Sequence, residues 1–492
     1  MRYKLDTDEG FILQRDNPPL DIDLTDISTS TKIENLSVTN SNNAVNSDVY
    51  TILSSDLANI NITLTQPKSG YEGRYVIEIE KDNIPNVQSI KWPKNITWEG
   101  NVKPNILDFT EYGYDYWLVT IENGYLGSHK RYWGKPHDYS QDYLTFEAVE
   151  NTTFQFTKAG LSYSLDNGDT WTSLAANTAT PTVNAGNKIL FKGEMTPSSS
   201  NPYGIGTFSS TGKYNAMGNI MSLLYGDNFI GQTDLTGKND AFYSLFASNN
   251  HLVDVSNLTL PATTLANFCY FNMFYRCTSL TTAPELPATT LANQCYQSMF
   301  NGCTSLTTAP ELPATTLASN CYDNMFYGCT SLTTAPELPA TTLTNYCYNS
   351  MFWSCTSLTT APELPATTLA GSCYSYMFNY CTSLTTAPEL PATTLVNNCY
   401  NQMFKNCTSL TTAPELPATT LVNNCYIGMF QGCRKLNYIK AMFTTTPSSS
   451  YTGNWVSGVA ASGTFVKNSA ATWNVTGADG VPTEWTVETA SA

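Results

Sequence analysis

Apolar residues recur through residues 265–433 in a fixed rhythm. In the copy that starts at Leu291, the residues Leu291, Cys295, Met299 and Cys303 are spaced by four, with Tyr296 and Phe300 at their flank. That spacing predicts one face of a short helix. Gly302 stands where the helix would stop, and glycine recurs there at Gly328 and Gly432,. Residues 304–316 are rich in Thr, Pro and Leu and predict an extended run ending in a turn at Leu312-Pro313. A helix, a turn and a strand-like run make one unit. The unit recurs every 26 residues: its first cysteine is Cys269, Cys295, Cys321, Cys347, Cys373, Cys399 and Cys425, and a second follows eight later, from Cys277 to Cys433. A looser copy aligns through Ala241, Phe242, Leu245, Phe246 and Leu252 if two residues are inserted before Leu260-Pro261, and reads as a capping repeat. A unit of about 20–50 residues cannot bury its apolar face alone and must stack, so the repeat predicts a solenoid over residues 237–443.

Upstream the rhythm changes to alternation. Ile60, Ile62 and Leu64 alternate with polar residues, as do Tyr75, Ile77 and Ile79 with Val76, Glu78 and Glu80. Ile90-Lys91-Trp92, Ile96-Thr97-Trp98 and the run from Tyr114 through Trp117 to Ile121 continue it, so residues 51–136 predict a β-domain,. Residues 137–236 predict a second β-rich, sandwich-like unit, with strands at Leu144-Thr145-Phe146, Phe154-Gln155-Phe156 and Ile189-Leu190-Phe191. In it, Ser164, Asp166, Gly168 and Trp171 fit the pattern SxDxGxxW of an Asp-box, in which Asn167-Gly168 supplies a hairpin turn,. Residues 1–50 are polar and weakly patterned. They read either as a tail without fixed structure or as a virion attachment segment that orders on docking. In residues 444–492 the aromatics Trp455, Phe465, Trp473 and Trp485 punctuate a Ser/Gly/Thr-rich stretch that reads as a C-terminal cap.

Two stretches resemble known families. The repeat, MFxxCxxLxxA followed by LP, resembles the BspA-like leucine-rich repeat, which runs AFxxCxxLxxIxIP. Phe300, Cys303, Leu306, Ala309 and Leu312-Pro313 occupy the matching places. The resemblance implies an α/β leucine-rich-repeat solenoid behind mainly β N-terminal domains. Pro310 and its equivalents from Pro284 to Pro414 depart from the pattern; proline cannot donate to a ladder, so a shorter or bulged sheet is expected,. The stretch IKWPxNITWEGNxxP and the later YWLVTIENG resemble the small β-domain of phage tail-fibre and head-fibre proteins. Glu99-Gly100 stands where a Gly pair is common in that family, so the turn differs. The resemblance implies a homo-oligomer, most often a trimer, joined to other virion proteins through the N-terminal region.

Composition narrows the partners. At 492 residues the chain is too long for one core, and a net charge of −16 argues against nucleic acid or an anionic membrane,. No run of about 20 apolar residues predicts a membrane span. The start, MRYKLDTDEGFILQRD, shows no apolar signal region,. This favours a virion protein assembled in the host cytoplasm over a cell-surface adhesin. All 14 cysteines lie in the repeat, with no CxxC pair. Eight residues of helix span about 12 Å, too far for a disulfide within a copy; same-column cysteines of adjacent copies would lie about 5 Å apart, where a bridge is conceivable, but seven per column cannot all pair. Free, buried thiols are expected.

Catalytic chemistry finds no support. His129, His137 and His251 keep no spacing to a nucleophile or a metal set, and Gly204-Ile205-Gly206 lacks the rest of a phosphate-binding fingerprint,. The Asp-box is structural even in sialidases, so a glycosidase is a weak reading, and neither cofactor nor metal is expected. The column Glu285, Glu311, Glu337, Glu363, Glu389 and Glu415 reads as a solvated acidic stripe, or else as a row that recruits Ca²⁺,.

Comparison between copies points to a binding face. Cys, Tyr, Met, Phe, Cys and TSLTTAPELPATTL hardly change, whereas the pairs before Cys-Tyr, after it and after Met-Phe vary freely. On a helix at about 100° per residue, these pairs cover the half turned away from Leu, Cys and Met. Drift on a solvated helix would favour Lys, Glu and Ala. The pairs instead carry Tyr, Phe, Trp, Asn, Ser and Gly, a paratope-like set. Phe268, Phe271, Tyr275, Tyr327, Tyr346, Trp353, Tyr376 and Tyr380 are the expected anchors for a bacterial surface glycan or protein. A tail or head fibre that binds such a receptor is the leading reading. A virion decoration or spacer without ligand, and a bacterial cell-surface leucine-rich adhesin, are the alternatives.

Overall fold

The structure, a computed structural model, describes residues 139–201 and 203–490, and before them the backbone of seven strands between residues 36 and 136. The chain forms two compact units, Met1–Asp138 and Tyr139–Ala492. In the first, strands β1 (Leu36–Val38), β3 (Asn59–Leu64) and β5 (Ser89–Lys91) form one parallel sheet. Strands β2 (Ser47–Ile52), β4 (Gly73–Glu80), β6 (Tyr114–Gly124) and β7 (Gly127–Pro136) form another. Its β2–β4 pair is parallel and its β4–β6 and β6–β7 pairs are antiparallel. The alternation at residues 60–64, 75–80 and 114–121 therefore falls on strands. Two strands of the 1–50 segment, β1 and the start of β2, pair into these sheets. The rest of that segment and Ile96-Thr97-Trp98 lie outside the described residues.

The second unit opens with strands β8 (Leu144–Ala148), β9 (Phe154–Phe156), β10 (Leu161–Ser164), β11 (Thr172–Leu174), β12 (Lys188–Gly193), β13 (Phe208–Ser210) and β14 (Tyr214–Asn219). Five of them make an antiparallel sheet in the order β11-β10-β12-β8-β14, while β9 pairs with β13. Alternate residues point inward, and Phe146 packs on Phe154, Phe191, Phe208 and Tyr214 with ring centroids 4.8–5.1 Å apart. Gly218 in β14 has φ +80°, and a Cβ there would stand 2.1 Å from the Tyr143 carbonyl oxygen, so only glycine fits,. Beyond it, β14 pairs in parallel with β15 (Leu252–Asp254) and β16 (Leu258–Thr259), which belong to the looser first copy of the repeat. The 137–236 and 237–443 segments thus share a sheet, and one apolar core runs from Leu144 to Trp485.

The repeat itself corrects the expectation of helices. The described α-helices are the one-turn Ser222–Tyr225 and Ser449–Thr452, and neither lies in residues 265–433. Each Cys-Tyr-x-x-Met-Phe-x-x-Cys segment is instead a ribbon of turns. Phe268, Asn272 and Arg276 have φ of +58°, +54° and +56°, and every fourth residue follows suit in the later copies. Alternate N–H groups close turns, as Cys269 does onto the Ala266 carbonyl and Met273 onto the Tyr270 carbonyl, both i to i−3. The N–H groups between them donate to the next copy, Tyr270 to Cys295 and Phe274 to Met299. A helix would satisfy its N–H groups internally and leave none to join copies. The ribbon divides them, and successive copies lie close: Tyr270 stacks on Tyr296 at 5.6 Å and Phe274 on Phe300 at 5.4 Å.

The Thr-rich halves meet at isolated parallel bridges rather than strands, such as Thr308 to Thr334 and Thr334 to Thr360, and through threonine hydroxyls, as Thr330 Oγ1 donates to the Thr304 carbonyl at 3.4 Å. Pro310 and Pro313, which lack the N–H donor, keep these from widening into strands,. The looser first copy joins in the phase its two extra residues require, with Phe242 stacked on Tyr270 and Phe246 on Phe274. Residues 444–492 continue the ladder. Phe430 N–H donates to the Trp455 carbonyl, and strands β17 (Tyr438–Ala441), β18 (Thr464–Lys467) and β19 (Thr486–Thr489) run parallel. The indole N–H groups of Trp455, Trp473 and Trp485 donate to the carbonyls of Gly480, Phe443 and Ala460 and fix the aromatic end of the core.

Candidate functional site

The ribbon turns residues in and out two by two. Cys269 and Tyr270 are buried, Phe271 and Asn272 are not, Met273 and Phe274 are buried again, and Tyr275 and Arg276 are not. The variable pairs therefore fall at the outward turns, although Ser298, Asp323, Ser350, Ser372, Ser375 and Asn379 within them are buried in the later copies, and the second member of each takes the left-handed conformation. This supplies a physical cause that sequence reasoning missed. A turn with φ > 0 at its third residue favours Gly or Asn. Those positions hold Gly302, Gly328, Gly428, Gly432, Asn320, Asn398, Asn406 and Asn424, among others. Much of the Asn and Gly in the outward pairs answers to backbone geometry.

The aromatics do not. Phe268, Tyr346, Tyr376 and Tyr380 have φ of +58°, +57°, +59° and +62°. A bulky L-residue there costs of order 1–3 kcal/mol. Tyr380 stands in the column of Gly302, Gly328 and Gly432, and Tyr376 in that of Asn324 and Gly428, so sibling copies show what the backbone prefers.

The eight expected anchors divide in space. Tyr243 stacks on Phe271 at 4.8 Å, and Phe268 lies 5.9 Å from Phe271. Tyr203 lies 5.2 Å from Tyr243, and the Arg276 guanidinium stands 5.1 Å over the Tyr275 ring. Tyr243 was legible: aligning Phe242 with Tyr270 puts Tyr243 on Phe271. Tyr203 sits in a loop outside the repeat and gave no signal. A second group joins three successive copies, with Tyr327 on Trp353 at 5.4 Å and Trp353 on Tyr376 at 5.2 Å and 18°. Gln402 Nε2 donates to the Tyr376 hydroxyl at 3.2 Å, and Lys405 Nζ to Gln402 Oε1 at 3.0 Å. Tyr346 and Tyr380 belong to neither stack and are the most exposed of the eight, at 46% and 45%.

Asp323, in the outward pair Asp323-Asn324, is almost fully buried. Its carboxylate accepts the amides of Gln297 (2.8 Å), Asn320 (3.3 Å), Asn324 (2.7 Å) and Asn349 (2.9 Å). Burial raises its pKa, and the bonds from Asn349 and Asn320 oppose that rise. These residues tie three copies together.

The remaining candidates are structural. In the Asp-box hairpin, the bonds from Thr170 hold the Asp166 carboxyl down at about 2, while Gly168 N–H donates to Ser164 Oγ at 2.8 Å. Trp171 packs on Tyr143 at 4.9 Å, with Lys192 Nζ 4.2 Å from its ring. The Glu column is solvent-exposed, and its last member, Glu415, pairs with Lys440 at 2.9 Å. Among the described residues no cluster of three or more His, Cys, Asp or Glu side chains fits a metal ion. No described helix is long and apolar enough to cross a membrane. All 14 cysteines are free and buried. Thiols of the second column donate to carbonyls of the preceding copy, as Cys303 does to Phe274 at 3.1 Å. No family model, curated protein or solved structure matches the chain.

Proposed function

We propose that the chain is a virion fibre protein, of tail or head, whose leucine-rich-type solenoid attaches to a receptor on the bacterial surface. The observation that carries this reading is the placement of Tyr346, Tyr376, Tyr380 and Phe268 at left-handed positions that sibling copies fill mainly with Gly, Asn, Ser or Gln. A surface under no demand but stability would keep the residues its backbone prefers. Strain retained at outward positions is the mark of a surface kept for contact. The N-terminal strands form a unit of their own, which suits a part dedicated to assembly, here as a homo-oligomeric trimer on other virion proteins. No catalytic step is assigned to any residue.

Adsorption tests the reading. Fluorescently labelled full-length chain is mixed with a panel of gut bacterial isolates and compared with the triple variant Trp353→Ala, Tyr376→Ala, Tyr380→Ala. The wild-type chain adsorbs to a subset of isolates. The variant loses about tenfold or more in affinity, as removal of aromatic hot spots does, while its melting temperature stays within a few degrees. Undiminished adsorption by a folded variant refutes the assignment of this face.

A further inference from the structure

We infer that the ligand of the outward face is an uncharged glycan, bound against the edge of the Trp353–Tyr376 stack and the exposed rings of Tyr346 and Tyr380, which belong to the same two copies. The inference rests on the attachment reading above and narrows it to one ligand class.

Charge is the first argument. Across the variable pairs from residue 345 to residue 406, Lys405 is the one charged side chain, and it is bonded to Gln402. A face meant for an acidic polysaccharide would carry cations, the more so on a chain of net charge −16,. A protein partner brings a polar, charge-bearing rim, which would find little to pair with here.

The side chains present are those a neutral sugar uses. The C–H faces of a pyranose carry a slight positive charge and meet the negative faces of aromatic rings. Trp353 and Tyr376 stack on one another, with Tyr327 against Trp353, so these half-buried rings present their outer edges, while the rings of Tyr346 and Tyr380 are exposed and leave faces free for a sugar. Sugar hydroxyls both donate and accept, and so do the exposed amides Asn345 and Asn397,. The stack is also rigid before any ligand arrives. Gln402 holds the Tyr376 hydroxyl, and the Asp323–Asn349 bond fixes the outward pair before Trp353. Little ordering entropy then remains to be lost on binding.

The test uses the full-length chain and bacterial cells that it adsorbs. Cells are treated with periodate, which cleaves glycan diols, or with protease. Dextran, mannan and galactomannan serve as neutral competitors, and alginate and hyaluronate as acidic ones. Periodate abolishes adsorption, protease leaves it, and at least one neutral polysaccharide competes. A tenfold rise in salt changes the affinity by less than about twofold, since no charge pair is screened. Trp353→Ala weakens adsorption about tenfold, whereas Trp353→Phe, which keeps a ring and guards against a folding defect, retains most of it. Loss to protease with survival of periodate, competition by the acidic polymers alone, or a steep salt dependence overturns the glycan while attachment stands. Failure to adsorb to any isolate overturns attachment itself.

Discussion

At the scale of the residue, the outward surface sets a backbone demand against aromatic side chains. Positions such as 346 and 380 have φ near +60°, where glycine is free of penalty and asparagine nearly so,. If the tyrosines serve a ligand, they weaken the fold. Tyr380→Gly and Tyr346→Asn should each raise the unfolding free energy by about 1 kcal/mol, while adsorption falls. Gly328→Ala gives the reverse control. Its φ is +72° and the nearest atom to an added Cβ is the Gly302 Cα at 3.9 Å, so space is not limiting. A loss of about 1 kcal/mol there measures the conformational term alone. Urea melts of the three variants decide the point. Destabilisation by the tyrosine replacements would mean that their contacts outweigh the strain, and the functional argument from strain would fall.

At the scale of the element, the inward set of the repeat is legible in the sequence, but its period is not that of a helix. The spacing of Leu291, Cys295, Met299 and Cys303 places them in the core, and all are buried. A strict step of four drifts by about 40° per step on a helix of 3.6 residues per turn, about 120° over three steps. A two-in, two-out pattern without drift is the rhythm of alternating turns, and the Asn and Gly that recur one residue before Cys or Met were its second sign. Neither sign enters rules built for helices and strands. The hairpin at Asn167-Gly168 is legible in the sequence because its turn chemistry is local, with φ of +62° and +98° at those residues. The contacts of Asp323 were not readable, since its four amide partners come from three copies and depend on how these stack. Asn398→Ala separates the two readings. On an exposed helix it would stabilise by about 0.5 kcal/mol. At its observed φ of +60° it should destabilise by about 1 kcal/mol,. Far-ultraviolet circular dichroism of the wild type should likewise show almost no helical signal.

At the scale of the whole molecule, the unit Tyr139–Ala492 depends on columns of groups that must stay protonated. The cysteine and tyrosine columns run through one core, and desolvation pushes the thiols of Cys269, Cys277, Cys373 and Cys433 up to about 12, from an ordinary value of 9.0. Tyr296, Tyr322 and Tyr426 are raised well above 10.0 by the same cause. The sign follows from linkage. Below pH 9 both folded and unfolded chains hold these protons, and stability is unaffected. Above pH 9 the unfolded chain releases protons that the folded chain retains, so stability falls as pH rises toward the folded values. Each such group takes about 1.4 kcal/mol per pH unit, so four thiols take about 5, and domains hold only about 5–15 kcal/mol in all. The unit should keep its stability up to pH 9 and unfold cooperatively between about pH 9 and 11, with core tyrosinate absorbance rising in the same step. At pH 8 a thiol reagent should modify few of the 14 cysteines in the folded chain and all of them in denaturant,. Thiols that titrate near pH 9 while the circular dichroism stays native would show that the columns admit water. The copies would then be less tightly closed than ring spacings of 5.4–5.9 Å require.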